Sequence, residues 1–344
     1  MFYKALLRPA LFQLDPEAAH ERALHYAQRF GRSRIVRDTC ETLFCVQDRR
    51  LQQTVFTLEF PNPVGLGAGY DKNALGLEFW PAMGFGFVEI GSVTSRPQPG
   101  NPVPRVFRLP EQQALINRMG FNNDGAERIA ARVNPPYRIP VGVNVGKFKP
   151  VELADAPADY AKTIAAFAGR ADFFVINVSS PNTPNLRKLQ DREFLDDLLE
   201  GTRSVASAPV LLKLAPDLTF DQLDDALDLI QKHKLAGVVA TNTTIDHPVP
   251  PEGGLSGKPL RERATECVRH IYRQTHSKLP IIGVGGIYTA ADAYEKIRAG
   301  ASLVEVWTGL IYEGPAMVAK INRGLLRLLE RDGLNNIAEA IGSE

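Results

Sequence analysis

Cysteine is scarce. Cys40, Cys45 and Cys267 are the only three in 344 residues, too few and too unevenly spaced for a disulfide framework or a paired metal site. The six histidines, His20, His25, His233, His247, His270 and His276, form no H-x-x-x-H or H-E-x-x-H pattern, so no metal centre is expected. An excess of charge of one sign is missing too. The 40 basic residues face 39 acidic ones, a net charge of +1, and such a balance draws no polyanion to the whole surface. Nucleic acid is therefore not an expected partner. No apolar run reaches the ~18 residues that span a bilayer. The start, "MFYKALLRPALFQLD", has neither the continuous apolar segment nor the cleavage site of a secretory signal. Composition alone thus points to a globular chain in a reducing cytoplasm, with 44% hydrophobic residues to build its core.

What is present is an alternation. From about residue 62, short β-rich runs are followed by segments of helical period, eight times over: "NPVGLGAG" (62–69), "GFVEIGSV" (86–93), "PVGVNVG" (140–146), "FFVINVS" (173–179), "PVLLKLA" (209–215), "GVVATN" (237–242), "PIIGVGG" (280–286) and "SLVEVW" (302–307). Eight strand–helix pairs predict an α/β fold of the (β/α)8 TIM barrel type, for which ~250 residues is typical. The competing doubly wound sheet would need G-x-G-x-x-G after its first strand, and "GLGAGYDK" has the wrong spacing. Outside the repeat, residues 1–45 read as two short helices forming a separate N-terminal segment, with Asp15 as an N-cap and Pro16 as the first helical residue of the second. "TVFTLEF" (54–60) alternates like an antiparallel strand closing one barrel mouth. The barrel is placed at 46–335 and a C-terminal tail at 336–344. A long Pro-rich insertion after the second strand, "TSRPQPGNPVPRVFRLPEQQALINRMGFNN", is expected to be functional, as loops of such length usually are.

Barrel active sites gather at the carboxyl ends of the strands. Those ends deliver Lys72, Ser92, Asn144, Asn177 with Ser180, Lys213, Thr241 with Asn242, Gly285 with Gly286, and Thr308 with Gly309. Lys213 lies within the apolar run "VLLKLAP", where an ammonium is costly unless something negative receives it; snorkelling to solvent is the plainer alternative. The glycines of "IGVGGI" and the following "WTGL" occupy the usual phosphate-binding position of barrels, although tight turns alone would also use them. Asn144, Asn177, Asn182 and Asn242 suit a planar heterocycle with alternating N–H and C=O groups, although turns and caps also employ asparagine. A lysine in a strand beside a phosphate site equally describes a Schiff-base aldolase, and a barrel that has lost catalysis is a third reading.

The stretches "GAGYDKN", "EIGSVTSRPQPGNPVPRVFRL", "INRMGFNN", "INVSSPNTPNLR", "KLAPDL", "ATNTT", "GGLSGKPL" and "IIGVGGI" together resemble the membrane-associated, quinone-using class 2 dihydroorotate dehydrogenases. The resemblance runs nearly the whole chain, from "LFQLDPEAAHERAL" onward. It implies oxidation of (S)-dihydroorotate to orotate in pyrimidine synthesis, with a hydride passing to one non-covalent FMN and the electrons then to a membrane quinone. It implies a cofactor set of Ala68, Gly69, Tyr70, Asp71, Lys72, Ser92, Asn144, Asn177, Lys213, Thr241, Gly257, Gly286, Trp307 and Thr308. The implied substrate set is Lys72, Asn117, Arg118, Met119, Gly120, Phe121, Asn177, Asn182, Asn242 and Thr243.

By the same resemblance Ser180 is the catalytic base, where the soluble class 1 enzymes use cysteine. A hydroxyl is a poor base at neutral pH, and Thr183, a water and the shelter of Phe121 are expected to help its proton onward. The first residues, with Phe2, Leu6, Leu7, Leu11, Phe12 and Leu14 among few charges, then suit a monotopic helix that guides a quinone. That places the protein peripherally on the cytoplasmic face of the inner membrane; without the resemblance, a helix packed on the barrel is the simpler reading. Three positions depart from the family pattern: Ser92 replaces a common threonine, Trp307 a tyrosine and Phe148 an asparagine.

Overall fold

The computed structural model describes residues 3–183 and 185–344. Phe2, counted in the apolar N-terminal face, and Pro184, at the end of the strand-four motif, lie outside them. The N-terminal segment forms three helices rather than two. After a π-helical turn at Tyr3–Leu7 come α1 (Arg8–Phe12), α2 (Pro16–Gly31) and α3 (Arg34–Phe44). The extra boundary falls at Ser33, whose hydroxyl accepts the Val36 N–H and caps α3 in the way hydroxyl side chains open helices. Asp15 caps α2 as expected, taking the N–H groups of Glu17 and Ala18 at 3.0 and 2.9 Å.

The single strand read over 54–60 is a hairpin, β1 (Gln53–Val55) and β2 (Leu58–Phe60). Its turn residues Phe56 and Thr57 have φ of 54° and 67°, the left-handed pair that a two-residue hairpin turn requires. The mouth-closing role holds. Val55, Phe56 and Phe60 pack under the barrel against Phe87, Phe173 and Leu211.

Eight parallel strands then close as predicted. Along the chain these are β3 (Val64–Leu66) and β4 (Phe87–Val93), followed, after the inserted β5 (Val106–Leu109) and β6 (Ala114–Asn117), by β7 (Val141–Val145), β8 (Phe173–Asn177), β9 (Val210–Leu214) and β10 (Gly237–Ala240); after the inserted β11 (Gly254–Gly257) come β12 (Ile281–Val284) and β13 (Leu303–Val306). The closed order is β10-β12-β13-β3-β4-β7-β8-β9. At its floor, large rings sit over glycines of neighbouring strands: a Cβ on Gly65 would stand 2.3 Å from the Phe87 ring, and one on Gly142 would stand 2.2 Å from Phe173. Alternating large and small residues is how a tapered barrel interior fills.

The outer helices include α4 (Ala126–Ala130), α5 (Ala156–Ala166), α6 (Arg192–Arg203), α7 (Phe220–Lys232), α8 (Arg261–Gln274), α9 (Ala290–Arg298), α10 (Thr308–Glu313) and α11 (Met317–Asp332). The first strand lacks the α-helix read after it. Only a 3-10 turn, Trp80–Met83, follows, and α3 packs across that position. The last residues, set apart as a tail, bury Ile337 and Ala340 in the main core.

The Pro-rich insertion is folded. Its β5 and β6 pair antiparallel and recruit β11 from the sixth strand's loop, with Asn117 opposite Gly254. This small sheet stands beside the mouth at the carboxyl ends of the barrel strands and carries the N-terminal segment. Arg105 holds Glu17 at 2.6 Å, and Arg108 donates to the Leu14 carbonyl at 2.8 Å.

Candidate active site

A cavity with about 1100 Å³ of empty space opens at the carboxyl end of the barrel strands. Its lining unites Ala68, Gly69, Lys72, Ser92, Asn117, Met119, Gly120, Phe121, Asn177, Ser180, Asn182, Lys213, Thr241, Asn242, Thr243, Gly257, Gly286, Trp307 and Thr308. Residues more than 200 positions apart converge here because each stands at a strand end or on the insertion sheet.

Four residues of the expected set stand elsewhere. Asn144 lies beneath the cavity wall, fully buried: it donates to Glu89 at 2.6 Å and accepts from Asn177 at 3.1 Å and from Ser92. Asp71 points away and takes the N–H groups of Leu75 and Gly76 and the Trp80 indole, each at 2.8 Å, so it anchors a turn. Tyr70 packs edge-on to Trp80 and Trp307 and faces a second cavity. Arg118 reaches outward to the Pro104 carbonyl at 3.1 Å.

The amides form two hydrogen-bonded groups, one around Asn177 and Asn242 and one of Asn182 with Asn117. Asn242 donates to Ser179 Oγ at 3.0 Å and lies 3.4 Å from Asn177 Oδ1, while Asn182 donates to Asn117 at 3.1 Å. The Asn182 N–H reaches Ser180 Oγ at 3.3 Å. Ser180 and Thr183 are both buried, and no histidine lines this cavity among the described residues.

The two lysines differ in their surroundings. Among the described residues, Lys72 Nζ has one hydrogen-bond partner, the Met119 thioether at 3.2 Å. Burial, with a smaller contribution from Arg105 and against the pull of Glu17, lowers its pKa to about 8. A thioether accepts weakly, so this ammonium is poised for an anion. Lys213 lies 3.4 Å from Glu89 and 4.0 Å from Glu305. Burial would lower its pKa, but Glu89, through its charge and its hydrogen bond, leads the acidic surroundings that outweigh burial and raise it. A Schiff-base lysine needs the opposite shift, toward the free amine; the aldolase reading loses its support here.

Glu89 and Glu305 were not singled out in the sequence, although each is a lone acid in an apolar strand, the same signal that exposed Lys213. Gln98 was also missed. Its side-chain amide donates to the carbonyls of Gly120 and Phe121 at 3.1 and 3.0 Å and fixes the loop that carries Phe121. Arg187 likewise ties the carbonyls of Ser179 and Thr243, both at 3.2 Å, while paired with Asp217 at 2.7 Å.

The donor set fits a flat heterocycle with a phosphate tail. Lys213 and the amides offer the donors and acceptors that such a ring would need. For a phosphate tail there are Gly286, whose φ of +71° suits glycine and which packs against the start of α8, where a Cβ would stand 2.3 Å from Arg261, and the Thr308 hydroxyl, 2.8 Å from Ser256; backbone N–H groups at such a turn suit phosphate.

Beside this site lies a second cavity with about 1520 Å³ of empty space, one side of it lined by apolar residues of α1, α2 and α3, among them Leu11, Phe12, Ala23, Ala27, Phe30 and Phe44. Leu115, Met119 and Trp307 line both cavities and form the wall between them. Leu6 and Leu7 of the preceding π-helical turn and Tyr26, Ile35 and Leu43 of α2 and α3 are exposed.

The model of one family, described as dihydroorotate dehydrogenase, matches residues 50–329. Dihydroorotate dehydrogenase (quinone) of Natronomonas pharaonis is 50% identical over 98% of this chain and 98% of its own length. The same-named protein of Halobacterium salinarum is 49% identical over 98% and 99%. A crystal structure of the Eimeria tenella dihydroorotate dehydrogenase in complex with ferulenol superposes with a TM-score of 0.88 at 35% identity, covering 97% of this chain and 98% of that one.

Proposed function

The chain belongs to the dihydroorotate dehydrogenase family, and from that premise we propose how its own residues divide the work. The protein is an oxidoreductase of pyrimidine biosynthesis that oxidises dihydroorotate to orotate, and its family is flavin-dependent. In our reading the flavin is one non-covalent FMN. Lys213, Asn177 and Thr241 would hold its ring, and Gly286, Trp307 and Thr308 would hold its phosphate; bound there, it would supply the hydride-accepting chemistry.

The observation that carries the substrate assignment is the buried Lys72 ammonium, whose one hydrogen-bond partner among the described residues is a thioether. A substrate carboxylate supplies the missing anion, and Asn117, Asn177, Asn182 and Asn242 read the alternating donors and acceptors of the pyrimidine ring. Ser180 removes the proton from the carbon beside the ring carbonyl, and Thr183 helps move it onward. Phe121, buried at the cavity edge, excludes bulk water. The second cavity admits the quinone, and the exposed apolar residues of the N-terminal helices rest in the cytoplasmic face of the inner membrane. No helix among the described residues is long and apolar enough to cross it.

The test is optical. The purified protein should be yellow, bleach when dihydroorotate is added without oxygen, and recover its colour with a quinone. A colourless protein that FMN does not reconstitute would refute the cofactor assignment, and a yellow one that does not bleach would refute the substrate.

Lys72 also predicts a pH profile. The free protein holds its proton only below about 8, and the anionic substrate selects the protonated form. Dihydroorotate affinity should therefore be flat below that pH and fall by about tenfold per unit above it. Titrating flavin bleaching against substrate from pH 6 to 10 would show this, and an affinity constant across that range would rule the lysine out.

A further inference from the structure

Three ionisable groups meet at the floor of the cavity, and their charges do not cancel. Glu89 and Glu305 are 0% and 1% exposed, and Lys213 is 5% exposed. One ammonium can neutralise one carboxylate. Glu89 is the better held of the two: its Oε1 takes Lys213 at 3.4 Å and the Asn144 amide at 2.6 Å. Neither oxygen of Glu305 has a hydrogen-bond partner among the described residues, and Glu89 Oε2 has none either. Across from Glu305 stands Gly67, where a Cβ would lie 3.2 Å from Oε2, so no side chain there can help. Among the described residues, Glu89 and Lys213 are the titratable groups facing Glu305. An ionised carboxylate with both oxygens buried and unbonded is costly, whereas a protonated one is far cheaper to bury.

We propose that Glu305 is a protonated carboxylic acid in the folded protein, and that its proton, offered to Glu89, leaves a single negative charge to balance Lys213 beneath the flavin. One proton then relieves the orphaned Glu89 oxygen and gives Glu305 a bond of its own. The floor is neutral instead of carrying a net negative charge. Burial and the neighbouring Glu89 both push the Glu305 pKa well up, in keeping with the geometry. Glu305 is a positioning residue: it acts through Lys213, keeping that ammonium's field available for the negative charge a reduced flavin accumulates. The inference rests on the flavin reading of the site.

The experiment compares Glu305→Gln, which keeps the shape of a neutral acid, with Glu89→Gln in the purified holoprotein. The neutral amide of E305Q should leave the ratio of reduced to oxidised flavin at a fixed reference potential within about twofold, whereas removing the true counter-charge at position 89 should raise it about tenfold. Thermal stability gives a second readout. An acid with a raised folded pKa loses stability as pH rises above its unfolded pKa toward the folded one, so E305Q should melt at or above the parent temperature at pH 7 and gain on it as pH rises. An E305Q protein that melts lower and favours reduced flavin as strongly as E89Q would show Glu305 to be ionised and overturn the proposal. A protein without flavin would instead fail the cofactor reading, and its melting curves would still decide the charge of Glu305.

Discussion

Replacing Ser180 with alanine is expected to slow bleaching of the bound flavin by dihydroorotate by about 10²–10⁴-fold, the usual contribution of a positioned general base. Substrate affinity should change little, because Lys72 and the amides remain. Rapid mixing without oxygen separates the two quantities, and bleaching within a few-fold of the parent rate would remove Ser180 from the reaction. The large effect follows from what surrounds the serine. It is buried, receives the Asn182 N–H at 3.3 Å and, among the described residues, has no histidine or carboxylate in its cavity wall placed to replace it. Glu305, the acid that does line the cavity, sits at the floor with Lys213. Thr183→Val should lower the same rate by a smaller factor if the threonine passes the proton on, and an unchanged rate would exclude it from that path.

Removing residues 1–44 is expected to abolish reduction of quinone while dihydroorotate still bleaches the flavin. The deleted helices supply most of one wall of the second cavity and almost none of the first. Because Leu24 and Ala27 belong to the main core, the truncated protein could be destabilised. A full-length Ala23→Trp variant therefore provides the independent check: a bulky ring in the apolar cavity should impair quinone reduction alone. Normal quinone kinetics in Ala23→Trp together with the truncated protein, or equal loss of both half-reactions, would sink the assignment.

The barrel was legible because its eight buried strands are short apolar runs separated by helices of clear period. Where that period was absent, the sequence said less. Phe56 and Thr57 are neither glycine nor asparagine, so nothing marked the turn that splits 54–60 into a hairpin. The strand Gly254–Gly257 has two glycines in four residues, a composition that opposes strand formation; it exists because β6 offers it partners. In the site, Lys213 was conspicuous as a charge in an apolar strand, yet its two acids went unnoticed because their proximity is a property of barrel closure, not of spacing along the chain. Asp71 and Arg118 show the converse. Both flank cavity residues in sequence, but their side chains point away, since neighbours in a loop need not face the same way.

The thin partition of Leu115, Met119 and Trp307 has a broader meaning. One reactant is a charged, water-loving acid and the other is an oil. No single chamber could concentrate both, since whatever dissolves one expels the other. Setting two chambers back to back lets each reactant stay in its own solvent, and only electrons need to cross. On the proposed function, the protein is a junction between two phases, joining the cell water to the lipid without mixing them.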